Sequence, residues 1–180
     1  MHPLPEISPP ARACGPPRLH PDLEELRAFL GVWEGAGEGH YPTIRSFHYL
    51  ERVAFDHVGK PFLAYGQGTR TVDDGRPLHT ESGFLRPGGA GRAEFLIAQP
   101  TGIVEVYEGP FDGRTLDVRA AAIGLSRTAK RVRSLRRRFE LDDDMLRYDL
   151  WMAYADTPET HHLHAELRRI DSASTLGATR

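Results

Sequence analysis

The sequence predicts an all-β protein, an up-and-down antiparallel β-barrel of about ten strands preceded by one short helix. After Gly31 the helical period fades, and short runs of β-branched and aromatic residues alternate with turn signals. The turns are compact and typical of hairpins between consecutive antiparallel strands. They include residues 58–61, 73–76, 87–91, 99–102, 112–114 and 142–144. About ten strands in one sheet must curl or close, which favours a barrel.

Length and composition indicate one globular domain with two tails. The chain has 180 residues, of which 39% are hydrophobic and 27% are charged. A formal net charge of -2 gives no electrostatic reason to expect nucleic acid, and we interpret the basic run 130–138 as a solvated strand face. The single cysteine, Cys14, excludes an internal disulfide and a zinc site of several thiolates. No apolar run has the length of a membrane span, so we expect a cytoplasmic protein without a membrane partner.

The chain divides into a leader, a barrel and a tail. Residues 1–19 are rich in proline and are expected to be disordered, residues 20–171 form the barrel, and residues 172–180 form a flexible tail. The predicted strands lie near residues 32–40, 46–54, 61–69, 78–86, 93–99, 102–109, 115–124, 130–141, 145–155 and 161–170.

The short helix begins near Pro21 and ends at Gly31. Proline and acidic residues suit a first helical turn, and glycine suits a helix end. Leu23, Leu26 and Leu30 are expected to share one face, so the helix is predicted to plug or cover the barrel.

Three glycines fall on one face of the first predicted strand. Gly35, Gly37 and Gly39 share their face with Trp33 and Tyr41, whereas the alternate positions include two glutamates and a histidine. We predict that the glycine face lies inside the barrel. Empty inward positions can leave room for a flat ligand, or they can permit strand coiling and bulges, and the spacing leaves both readings open.

Three of the nine histidines are close together in residues 160–167. In a regular strand, His162 and His164 share a face and His161 takes the other. Neutral imidazole binds zinc, copper or haem iron, but by spacing alone such a cluster is more often a polar strand end than a set of metal ligands. No second histidine–carboxylate cluster completes a catalytic zinc site, and no nucleophile elbow, phosphate-binding loop or Rossmann fingerprint is present. His79 could face either side of its strand.

Several motifs together resemble one known family, the nitrobindins. Residues 31–37, GVWEGAG, followed by YPTI at 41–44, are similar to the family's GxWxGxG…YPT signature. The likeness covers about residues 21–170. It continues through FHYLE at 47–51, PLHTESGFLR at 77–86, QPTGIVEV at 99–106, AK at 129–130 and HLH at 162–164.

The resemblance implies a ten-stranded barrel, similar to fatty-acid-binding proteins and lipocalins, that holds one haem b. It implies that His162 is the proximal iron ligand, that Thr43 contacts haem and that Lys130 lies near it. His79 corresponds to a histidine close to the pocket that is not a ligand. With the opposite iron face open, the ferric protein is expected to isomerise peroxynitrite to nitrate and to bind nitric oxide.

The expected chemistry belongs to the iron, and no side chain is expected to act as a catalytic acid or base. The expected partners are small molecules, and a homodimer is possible.

Two alternative functions stay open. One is a haem-based nitric oxide sensor or carrier without turnover, and the other is a lipocalin-like carrier of an apolar ligand.

Overall fold

The computed structural model describes residues 17–170, and these form a closed antiparallel barrel of ten strands. Each strand pairs with the next along the chain, and the last pairs with the first, so the predicted fold class is confirmed. The strands are β1 Gly31–Tyr41, β2 Ile44–Asp56, β3 Leu63–Thr71, β4 Pro77–Gly89, β5 Arg92–Gln99, β6 Ile103–Pro110, β7 Thr115–Leu125, β8 Val132–Asp142, β9 Met145–Tyr154 and β10 Thr157–Ile170.

The predicted leader and tail lie almost entirely outside the described residues, which include only 17–19 of the leader. Within residues 17–170, no helix has the length and apolar character needed to cross a membrane.

The N-terminal segment differs from the predicted helix. It forms two 3₁₀ turns, Pro21–Leu23 and Arg27–Phe29, rather than one regular helix. The physical reason is the spacing of its apolar residues, because Leu23, Leu26 and Phe29 recur every three positions and a 3₁₀ turn has three residues. All three are buried, whereas Leu30, which was predicted to lie on this face, is half-buried.

These turns close one end of the barrel, as predicted for a plug. The Phe29 ring lies 5.2 Å from the ring of Phe55 and 5.5 Å from that of Phe111, measured between centroids. The Trp33 indole donates a hydrogen bond to the Phe29 carbonyl oxygen at 2.9 Å. Aromatic contacts of this kind add to the stabilisation from apolar burial. The closed end therefore holds the aromatic core.

The strand register arranges the interior in three layers. The layer next to the plug is apolar. The middle layer carries buried polar side chains, namely Glu51, Gln67, Glu81, Glu105 and Arg137. The third layer, at the end away from the plug, surrounds a cavity. Its position follows from β1, which runs from Trp33 at the plug to Tyr41 beside the cavity.

The glycine face of β1 points inward as predicted, but it does not face empty space. A Cβ atom at Gly37 would lie 2.4 Å from Cζ of Tyr49, and one at Gly39 would lie 2.3 Å from Cζ of Phe47. A Cβ at Gly35 would lie 2.1 Å from the carbonyl oxygen of Glu166 on β10. The glycines therefore admit two aromatic rings and the close approach of a neighbouring strand. The cavity lies beyond those rings.

Candidate functional site

A cavity of about 450 Å³ occupies the end of the barrel opposite the plug. Its wall is largely apolar and includes Phe47, Tyr49, Ile103, Leu135, Leu150 and Met152. Its floor is the polar middle layer, and two histidines, His79 and His162, also line it. An apolar cavity with a few convergent polar groups is the usual form of a small-molecule site.

His162 enters the cavity because β10 contains a β-bulge. His161 pairs with Trp151 on β9, and Leu163 pairs with the adjacent Leu150, so His162 is an extra residue in the ladder. A bulge of this kind re-aims side chains. His162 and Leu163 both line the cavity.

The prediction that His162 and His164 share a face is therefore wrong. His161 and His164 both reach Asp149 on the outer surface, whereas His162 alone of the three lines the cavity. The prediction failed because it assumed the two-residue repeat of a regular strand, which the bulge interrupts.

The imidazole of His162 is held in one tautomer. Its Nδ1 lies 3.0 Å from the carbonyl oxygen of His40, and because a carbonyl only accepts, Nδ1 carries the proton. Nε2 then has the free lone pair. The Tyr41 ring meets the imidazole edge to face at 5.2 Å, and burial lowers the pKa of His162 below 6.5. A neutral, oriented imidazole is the form that binds a metal.

The other residues singled out from the sequence have different places. His79 faces inward and lines the cavity, with its Nε2 3.6 Å from Oε1 of Glu81. Thr43 lies in the exposed turn between β1 and β2. Lys130 lies in the exposed segment before β8, with Nζ 5.7 Å from the centroid of the Tyr154 ring. Thr43 and Lys130 are outside the cavity lining, and their contact with haem stays a prediction.

The centre of the cavity floor is a buried ion pair. The Arg137 guanidinium donates two hydrogen bonds to the Glu81 carboxylate, at 2.7 and 2.9 Å, and Nη2 also lies 3.4 Å from Glu105. Burial alone would raise the pKa of Glu81, but the charge of Arg137 and the hydrogen bonds that it donates outweigh burial and lower that pKa to about 2. Tyr107 donates to Glu105, whose pKa burial raises. The positive charge of Arg137 is thereby neutralised within the floor.

Glu51 belongs to the same buried polar layer, although it does not itself line the cavity. It accepts hydrogen bonds from Nε2 of Gln67 and the hydroxyl of Tyr148, each at 2.9 Å. The Tyr49 hydroxyl lies 3.1 Å from that of Tyr148 and continues the chain to the cavity wall. Burial raises the pKa of Glu51 to about 7.

These buried polar side chains were not predicted from the sequence, although part of the signal was present. Glu51 alternates with Tyr49 and Val53 on one face of its strand, so its inward direction could have been predicted from the same alternation. The pairing of Glu81 with Arg137, 56 residues apart in the chain, could not.

No three histidine, cysteine, aspartate or glutamate side chains within residues 17–170 converge as a set that could hold a metal ion by themselves. A single neutral imidazole in an apolar cavity suits a cofactor that already contains its metal ion. An apolar wall suits a large flat ring system, and Nε2 of His162 could supply a nitrogen ligand to its metal. The fold and site define a β-barrel that encloses one small-molecule cavity, lined by a neutral histidine.

The chain belongs to the family described as the THAP4-like, heme-binding beta-barrel domain, which it matches over residues 22–169. This confirms the haem cofactor and the resemblance to the nitrobindins. The chain is 48% identical over 158 residues to "Peroxynitrite isomerase 2" of Mycobacterium marinum, covering 86% of this chain and 98% of that protein. It is 50% identical over 144 residues to "Peroxynitrite isomerase 1" of Rhodococcus jostii, covering 80% and 82%.

A solved structure has the same fold. The crystal structure of Rv2717c from M. tuberculosis is 45% identical to this chain and superposes with a TM-score of 0.80. The match covers 86% of this chain and 100% of that one. The fold of this chain therefore agrees with its assignment to the family.

Proposed function

We propose that this protein binds one haem b through His162 and that the ferric form isomerises peroxynitrite to nitrate. The observation that carries the proposal is the neutral His162 imidazole, which lines an apolar cavity with its Nε2 lone pair free. Relatives that are 48 to 50% identical and carry the name peroxynitrite isomerase support the reaction.

The chain's contribution is to bind and orient the cofactor. The apolar wall takes the ring system out of water, the His40 carbonyl oxygen fixes the tautomer of His162, and Tyr41 limits the rotation of its ring. We place Thr43 and Lys130 at the cofactor's edge, where a hydroxyl and an ammonium group suit propionates.

Haem with one protein ligand supplies a Lewis-acidic iron with an open coordination position. Peroxynitrite and nitrate have the same atoms and the same charge, so the isomerisation consumes no proton overall. No net proton has to be supplied, and we assign no side chain of the cavity as a catalytic acid or base. The same open position accommodates nitric oxide, which makes a nitric oxide carrier the second candidate.

The cavity is less suited to a carrier of fatty acids. A carboxylate buried in an apolar cavity needs a cation or several donors. The one buried cation among the floor side chains, Arg137, already has a bidentate partner in Glu81. The floor therefore has no free positive charge to offer.

Stopped-flow decay of peroxynitrite, with nitrate measured as the product, tests the proposal. We expect the ferric protein to accelerate decay and to raise the nitrate yield, and we expect His162→Ala to lose most of both effects. His48→Ala, which changes an exposed histidine of β2, is the control. Decay no faster than in buffer would leave nitric oxide binding as the function. Equal rates for His162→Ala and the wild type would refute the role of His162.

A further inference from the structure

The β-bulge that turns His162 into the cavity is a local defect in the sheet. β9 and β10 pair in register from Met145 and Arg168 to Leu150 and Leu163, and the register then shifts before His161. A bulge leaves one residue without its ladder partner and bends the strand. A side-chain contact across the bulge would stabilise this arrangement against regular pairing, in which His162 would have a different direction.

One carboxylate on β9 makes such a contact. Oδ1 of Asp149 lies 2.7 Å from Nε2 of His161 and 3.0 Å from Nδ1 of His164. His164 is the direct register partner of Asp149, and His161 is on the other side of the bulge. A single oxygen atom thus bridges the two histidines that flank His162 and Leu163. The His161 ring also lies 5.4 Å from the Trp151 ring.

We propose that Asp149 is a positioning residue for the haem-binding imidazole, because its bridge between His161 and His164 holds the bulge that directs His162 into the cavity. The proposal rests on the proposed role of His162. Asp149 lies outside the cavity lining, so it acts through the backbone of β10 rather than by touching the cofactor.

The bridge differs from ordinary pairing of the two strands. Glu166 on β10 and Arg147 on β9 form another outward ion pair between the same strands, at 3.1 Å, where the register is regular. Partly exposed ion pairs contribute little to global stability. Loss of either pair is therefore expected to leave the barrel folded, and only loss of Asp149 is expected to release the bulge.

The first test uses the apoprotein. Nitrogen-15 NMR of the His162 ring reports its tautomer, and we expect wild type to show the proton on Nδ1. Asp149→Ala is expected to show a mixture of tautomers, because His162 no longer stays beside the carbonyl oxygen of His40. Asp149→Asn keeps an oxygen acceptor and is expected to restore the wild-type signal. Glu166→Ala is the matched control and is expected to resemble wild type.

The second test measures the rate at which hemin leaves each variant for an excess of a tight haem acceptor. We expect Asp149→Ala to release hemin at least about tenfold faster, which is the usual effect of removing a group that orients a metal ligand. Asp149→Asn and Glu166→Ala are expected to match wild type. Circular dichroism of each variant establishes that the barrel is folded.

Three results would overturn the proposal. The first is that Asp149→Ala keeps the wild-type tautomer and hemin release rate. The second is that Glu166→Ala shows the tautomer mixture and faster release expected of Asp149→Ala. The third is that Asp149→Asn, in a folded barrel, does not restore the wild-type tautomer and release rate. If wild type does not bind hemin at all, the proposed function fails, and the apoprotein spectra still decide whether Asp149 positions His162.

Discussion

Glu51 is expected to make the protein less stable as the pH rises, and Glu51→Gln is expected to remove that effect. Glu51 is 4% exposed, and burial raises the pKa of its carboxyl from 4.5 to about 7. Glutamine has the same shape, keeps an oxygen at Oε1 that accepts from Gln67 at 2.9 Å and from Tyr148 at 3.1 Å, and stays neutral at every pH. The substitution therefore isolates the cost of a buried negative charge.

The sign follows from which state binds the proton more tightly. Below pH 4.5, Glu51 is protonated in both the folded and the unfolded chain and adds no pH dependence. Between pH 4.5 and 7 the unfolded chain loses this proton first, so the free energy of unfolding falls as pH rises, and the fall levels off above pH 7. At about 1.4 kcal/mol per pKa unit, the total loss is on the order of 3 kcal/mol.

Denaturant unfolding of the apoprotein at pH 5, 6, 7 and 8 measures this effect. We expect Glu51→Gln and wild type to have similar stability at pH 5. At pH 8 we expect Glu51→Gln to be more stable, by an amount on the order of 3 kcal/mol. A difference in stability that does not change between pH 5 and pH 8 would refute the reasoning.

Four further substitutions test the layers of the barrel by denaturant unfolding. Gly35→Ala is expected to lower the free energy of unfolding by about 3 kcal/mol, because the added Cβ would meet the backbone of β10. Gly37→Ala is expected to lower it less, because the Tyr49 ring can move. Equal losses for the two variants would contradict this reasoning. Phe29→Ala is expected to lower the free energy of unfolding by about 3–5 kcal/mol. Its hemin affinity is expected to stay unchanged, because the plug is remote from the cavity, and weaker hemin binding would contradict that separation. Glu81→Gln is expected to lower the free energy of unfolding at pH 7 by about 3–5 kcal/mol, because it leaves Arg137 buried with a poorer partner. Unchanged stability would contradict this expectation.

The ten strands could be predicted because alternation and turn residues are local signals. The N-terminal turns show where a local signal was misread. Leu23 and Leu26 are three residues apart, which suits either kind of helix, and the burial of Phe29 rather than Leu30 reflects its contact with Phe55 and Phe111. That contact depends on strands far along the chain.

The candidate site was predicted only in part. His162 was identified from the family resemblance, but its direction depends on a bulge that involves Trp151 and Leu150 on β9. The sequence of β10 alone does not contain that information. The glycines of β1 predicted an inward face correctly, yet the rings of Tyr49 and Phe47 that use the space come from β2.

Hemin titration of the apoprotein, followed by the Soret band, tests the central claim most directly. For wild type and the control His48→Ala, we expect a sharp band that saturates at one hemin per chain. We expect the band to be lost or shifted, with much weaker binding, in His162→Ala. A wild-type chain that does not saturate with hemin, or a His162→Ala variant with the same Soret band and affinity as wild type, would contradict the account.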